Sequence, residues 1–118
     1  MAKIIIVDDS RILRKILNTT LTDAGHEIVG EAGNGEEVLK LLETVKTDLI
    51  TLDITMPVMD GLQALRSIKE KYPGIKVVMV SAAGQKNKVM EALKGGASDF
   101  LQKPFEPEDV KRVVSKLV

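Results

Sequence analysis

The chain has 118 residues, with seventeen Lys and Arg against seventeen Asp and Glu, one His and no Cys. That length suits one folded domain over residues 1–118 with no output domain, and the balanced charge lacks the basic excess that drives non-specific nucleic-acid binding. No apolar run exceeds four residues, so no membrane span is expected, and without Cys or a signal segment the expected location is cytoplasmic.

Taken in order, Ile4 to Val7 is an apolar, β-branched run of the kind found in strands covered on both faces. Leu13, Leu17, Leu21 and Ala24 then recur at helical spacing, and Gly25 suits the left-handed position that ends a helix. The segment from Glu27 to Ala32 is a weaker strand, interrupted by Glu and Gly. Asn34 is placed to cap a second helix, with Glu36 and Glu37 in its first turn and Val38, Leu41, Leu42 and Val45 on its apolar face. Leu49 to Leu52, with Thr51 inside, reads as a third strand. A third helix carrying Leu62, Leu65 and Ile68 is broken by Pro73 and Gly74. Val77 to Val80 is a fourth strand, followed by a helix carrying Val89, Met90 and Leu93 that Gly95 and Gly96 can end. Ser98 to Gln102 is a second weak strand. Pro107 fits the first turn of a last helix, whose apolar face is Val110, Val113, Val114 and Leu117.

Strand and helix therefore alternate five times. Right-handed crossovers turn such an alternation into an α/β three-layer sandwich around a parallel five-stranded sheet. Placing the weak second and fifth strands at the edges gives the order 2-1-3-4-5, that of flavodoxin-like sheets, and ligands in such sheets gather beyond the carboxyl ends at the switch point between strands one and three.

Acids converge there. Asp8 and Asp9 follow the first strand and Asp53 follows the third. Three neighbouring carboxylates raise one another's pKa values unless a cation offsets them, and an all-oxygen donor set selects a hard ion such as Mg²⁺. Read singly, Asp9 or Ser10 could simply cap the first helix, and Asp53 could be a solvated turn residue. Ser81 and Lys103 follow the fourth and fifth strands, so four strand ends direct polar groups to one rim. A carboxylate nucleophile, a metal, and a Lys with a hydroxyl to hold the remaining oxygens are the parts that aspartyl-phosphate chemistry requires.

The motifs Val7-Asp8-Asp9-Ser10, Asp53-Ile54-Thr55-Met56-Pro57, Asp60-Gly61, Ser81-Ala82 and Lys103-Pro104-Phe105 come in an order and spacing that resemble the receiver domains of two-component response regulators, and among them the stand-alone chemotaxis regulators, over essentially the whole chain. The resemblance implies that Asp53 accepts a phosphoryl group from a histidine kinase. It implies that Asp8, Asp9, Asp53 and the Thr55 carbonyl hold Mg²⁺, one acid partly through water, and that Ser81 and Lys103 contact the phosphoryl group. Phe100 falls at the family's switch aromatic, which turns inward as Ser81 moves, and Lys103-Pro104 falls at its cis bond; without the resemblance Phe100 reads as a core residue at the sheet edge. The implied protein is a monomer that turns over no separate substrate and adds and removes its own phosphoryl group. Its output is a changed face of the fourth helix, fifth strand and fifth helix, read by a protein target such as a flagellar motor switch or a phosphatase, and not by nucleic acid or membrane.

Pro57 and Gly61 read as turn residues, His26 as a solvated surface residue, and Gly84 and Gln85 as a loop and helix start. Ala83 leaves the lifetime of a phosphoryl group undetermined. A phosphorelay intermediate that passes its phosphate to another His is an alternative output. A flavodoxin-like electron carrier would need a Ser-, Thr- and Gly-rich phosphate loop where Asp8 and Asp9 stand. A dehalogenase-type phosphatase would need a second Asp where Thr55 stands, and a receiver scaffold that is never phosphorylated would not need the acid, hydroxyl and Lys set.

Overall fold

The computed structural model describes residues 1–118. Its elements are β1 (Lys3–Val7), α1 (Arg11–Asp23), β2 (Glu27–Ala32), α2 (Gly35–Leu42), β3 (Leu49–Asp53), α3 (Gly61–Lys71), β4 (Lys76–Ser81), α4 (Lys86–Lys94), β5 (Asp99–Gln102) and α5 (Pro107–Leu117). The five strands are parallel in the order β2-β1-β3-β4-β5, as the weak edge strands predict.

The period of two along each strand divides the core. From β1, Ile5 and Val7 face one side with Ile50, Leu52, Val77 and Met79, where Val38, Ala64, Leu65 and Ile68 of α2 and α3 cover them. Ile4 and Ile6 face the other side with Leu49 and Val78, under Leu17 and Leu21 of α1 and Val110, Val113 and Val114 of α5. Burial on both faces is why these strands read as unbroken apolar runs.

Three helix stripes differ from their sequence reading. Ala24 is the exposed C-cap of α1, and Thr20 is buried beside Leu21 instead. Val45 lies beyond α2, which stops at Leu42. On α4 only Val89 and Ala92 are buried, while Met90 and Leu93 are exposed at 50% and 37%. Caps behave as their chemistry dictates: Asn34 Oδ1 accepts from Glu37 N–H, Gly25 has φ +93°, and Gly96 rather than Gly95 is the left-handed residue after α4, at φ +108°. His26 is not freely solvated. It is half-buried, and its Nδ1 accepts the Ala2 N–H at 3.0 Å, a bond only the neutral ring can accept; burial lowers its pKa.

Candidate functional site

Asp8 follows β1 directly, whereas Asp53 and Ser81 are the last residues of β3 and β4 rather than the first beyond them. Because β3 lies between β1 and β4, carboxyl ends of neighbouring strands meet at one rim. Oxygens of Asp8, Asp9 and Asp53 lie within 4.8 Å of one another. Asp8 and Asp53 are buried, 1% and 4% exposed, and Asp9 is open to solvent.

Local hydrogen bonds hold the acids in place. Asp8 N–H donates to the Ala32 carbonyl at 3.0 Å, and Asp8 Oδ1 accepts from Ser10 N–H at 2.8 Å. Ser10, not Asp9, caps α1: its Oγ accepts from Leu13 N–H at 3.2 Å. Capping therefore leaves Asp9 free for the cluster. Arg14 donates to the Asp8 carbonyl at 2.6 Å and pairs with Glu31 at 3.2 Å. On the β3 side, Ile54 N–H donates to Val80 O and Gly61 N–H to Ile54 O at 2.8 Å. A Cβ on Gly61 would collide with the Asp53 carbonyl, so the close approach of α3 to Asp53, more than a turn, requires glycine here. Asp60 caps α3 through a reciprocal box with Gln63. Val58, two residues before Asp60, has φ +67°, an unfavourable conformation for a β-branched residue.

Lys103 arrives from the far side of β4. Its Nζ donates to Asp53 Oδ2 at 3.3 Å and stands 3.5 Å from Asp8 Oδ2. The peptide bond from Lys103 to Pro104 is cis, and Lys103 N–H donates to Ser81 O at 2.7 Å. Ser81 is buried, and its Oγ donates across 3.5 Å to the Leu101 carbonyl rather than toward the acids. Thr55 is exposed just beyond Asp53, and its Oγ1 accepts from Gln85 Nε2 at 2.7 Å. Phe100 does not join the acids and is not a core residue. It is 39% exposed and borders a groove with Met90 and Leu93 of α4.

Three carboxylates against one ammonium leave an excess of negative charge in a low-dielectric cleft. The Asp53 carboxyl is pushed up to about 6, chiefly by burial and then by Asp8, with Lys103 opposing. Asp8 Oδ2 is buried and accepts no hydrogen bond. A buried carboxylate oxygen without a donor, beside two more carboxylates and no nitrogen or sulfur ligand, fits a hard divalent cation of the Mg²⁺ kind.

Two contributors were not singled out for the site by the motifs. Arg14 stands in the first turn of α1, where a cation opposes the helix dipole, and that misfit was its only sequence signal. Gln85 occupies an N-cap position to which its side chain is ill-suited.

A buried acidic cleft at the switch point of a 2-1-3-4-5 parallel sheet, reached by the Lys that follows the fifth strand, is the arrangement of a signalling receiver domain. The family model for the response regulator receiver domain matches residues 4–115, and the chain belongs to that family. Receiver domains bind Mg²⁺ at an acidic pocket of this kind and act as signalling modules rather than substrate-turning enzymes. The chain is 47% identical over 116 residues to the chemotaxis protein CheY of Listeria monocytogenes, covering 98% of each chain. It is 42% identical over 115 residues to the chemotaxis protein CheY of Thermotoga maritima, covering 98% of this chain and 96% of that one. Among solved structures, the receiver domain of NtrX from Brucella abortus superposes with a TM-score of 0.90 at 32% identity, over 97% of this chain and 96% of that one. No helix is long and apolar enough to cross a membrane.

Proposed function

We propose that the chain is a single receiver domain, residues 1–118, that accepts a phosphoryl group on Asp53 from the phosphohistidine of a kinase and signals in chemotaxis through a changed α4-β5-α5 face. The observation that carries this reading is the position of Lys103 Nζ, 3.3 Å from Asp53 Oδ2 and 3.5 Å from Asp8 Oδ2, the latter a buried oxygen that accepts no hydrogen bond. Asp53, the acid whose carboxylate Lys103 Nζ meets most closely, at 3.3 Å, is the nucleophile. Asp8, Asp9, Asp53 and the Thr55 carbonyl are the Mg²⁺ ligands, with one acid acting through water. When bound, the ion offsets charge on the phosphoryl oxygens.

Each remaining residue has a definite task. Lys103 Nζ exchanges Asp53 Oδ2 for an oxygen of the incoming phosphoryl group, which frees the carboxylate to attack phosphorus as the bond to the kinase His breaks, and its charge stays in the cleft. The Ser81 hydroxyl, held only by a long bond to Leu101 O, exchanges that partner for a second phosphoryl oxygen. Its movement draws the start of the β4–α4 loop toward Asp53 and opens space for Phe100, which has no hydroxyl to satisfy on turning inward. The exposed Met90 and Leu93 lie on the face so changed. Such a change is a population shift, limited by the difference in the phosphoryl group's contacts between the two states. Attack of water on the acyl phosphate returns Asp53 to its free carboxylate. The protein acts as a cytoplasmic monomer on a protein target such as a motor switch or a phosphatase.

Acetyl phosphate with Mg²⁺ is expected to label the wild-type chain and not D53N; labelling that persists in D53N moves the acceptor elsewhere. A pull-down with and without the phosphoryl mimic beryllofluoride then separates outputs. Capture of a motor or phosphatase component only with the mimic supports the chemotaxis reading, and capture of a histidine phosphotransfer protein replaces it with the phosphorelay one.

A further inference from the structure

Ala82, Ala83 and Gly84 connect the end of β4 to Gln85 at the start of α4. None of these three takes part in a backbone–backbone hydrogen bond of the turns and loops. The Ala82 N–H is met instead by Gln85 Oε1 at 2.7 Å, and the same carboxamide donates from Nε2 to Thr55 Oγ1, also at 2.7 Å. One side chain thus closes the turn on itself and ties it to the loop that follows Asp53. Thr55 lies two residues beyond Asp53 and Ala82 one beyond Ser81, so the carboxamide bridges the loops of adjacent strands at the mouth of the acidic cleft.

The helix shows what this bridge costs. Gln85 has φ −102° and ψ 26° instead of the extended backbone of a good N-cap, and α4 has no side-chain cap. Its amide is turned back to the loop rather than forward to the helix. Gly84, at φ +84° with open space around it, permits the reversal that brings the amide there. Gln85 also lines the groove of about 310 Å³ that Met90, Leu93 and Phe100 border, so the same residue touches the cleft and the proposed output face.

We propose that Gln85 is a latch, a positioning residue that holds the β4–α4 loop in its resting place until a phosphoryl group on Asp53 draws Ser81 inward. This rests on the reading of Asp53 as the phosphoacceptor. Ser81 cannot be carried toward Asp53 without carrying Ala82, and the Ala82 N–H is what the carboxamide grips. Ser81's own bond, at 3.5 Å, is the weaker restraint, and the two 2.7 Å bonds of Gln85 are the stronger. The latch therefore sets the fraction of molecules ready to receive the phosphoryl group, and apparent affinity scales with that fraction.

The test is calorimetric titration of the full chain with beryllofluoride at saturating Mg²⁺, with Mg²⁺ alone titrated separately. Two exposed hydrogen bonds of ordinary net strength are together worth roughly tenfold in an equilibrium. Q85A is expected to bind beryllofluoride roughly tenfold tighter than wild type, with unchanged Mg²⁺ affinity. T55V, which removes only the Nε2 bond, should gain less, and the double variant should match Q85A alone. A Q85A chain that binds the mimic no tighter than wild type overturns the latch, as does a T55V effect that adds in full to that of Q85A. A wild-type chain that ignores beryllofluoride, or a D53N chain that binds it equally well, strikes instead at the reading of Asp53.

Discussion

The loop after β1 and the loop after β4 both deliver residues to the rim beside Asp53, yet they are secured in opposite ways. Residues 8 to 10 are pinned by Ala32 O, the Asp8–Ser10 turn, the Ser10 cap of α1 and Arg14 on the Asp8 carbonyl. Beneath them, α1 buries Leu17 and Leu21 completely. Residues 82 to 84 are held by one carboxamide, and α4 beyond them is uncapped and leaves Met90 and Leu93 exposed. The proposed function, in which the acids stay fixed while the surface changes, fits this asymmetry: local stability follows buried contacts and satisfied backbone groups, and both are concentrated on the β1 side.

Four substitutions would break or sharpen that contrast. On the firmly packed side, L17A is expected to cost about 3 kcal/mol in urea unfolding, since it opens a cavity under β1; a loss below about 1 kcal/mol would remove the packing half of the comparison. Next in size is D53N in chelator. An acid whose folded pKa is raised from 3.8 to about 6 destabilises the fold when ionised. D53N should therefore be more stable than wild type by about 2 kcal/mol above pH 6, and the gain should vanish as pH falls below about 4, where both states of the wild-type residue are protonated. A gain that does not change with pH would mean that the ionised carboxylate is not its source. S10A, losing the α1 cap, should cost about 1 kcal/mol, with protection of the first α1 amides falling in hydrogen exchange. M90A should change stability by less than about 0.5 kcal/mol, because half of its side chain is already in water. A larger cost would show that α4 is packed more tightly than its exposure indicates.

Much of this architecture was legible in the chain itself. Unbroken β-branched runs marked β1, β3 and β4, and the polar interruptions in Glu27–Ala32 and Ser98–Gln102 marked the edges, since an edge strand has fewer neighbours to exclude water. Asp8, Asp9, Asp53, Ser81 and Lys103 could be assigned to one rim because strand ends in a parallel sheet share a side. Other features were hidden because they depend on partners distant in sequence. Helical spacing placed Met90 and Leu93 on an apolar stripe, but spacing does not say whether anything covers it. The choice between Asp9 and Ser10 as cap rested on backbone direction, and His26 looked solvated until the Ala2 N–H was seen to meet it.

By itself the sequence determined the alternation of elements, the order of the strands and the set of groups at the rim, because periodicity and strand-end position are local properties that propagate through right-handed connections. Only the tertiary structure decided that Lys103 stands between Asp8 and Asp53, that Asp8 keeps an oxygen without a donor, and that Gln85 reaches Thr55. These are distances between segments far apart in the chain, and they are set by how the layers pack rather than by any residue's own preference.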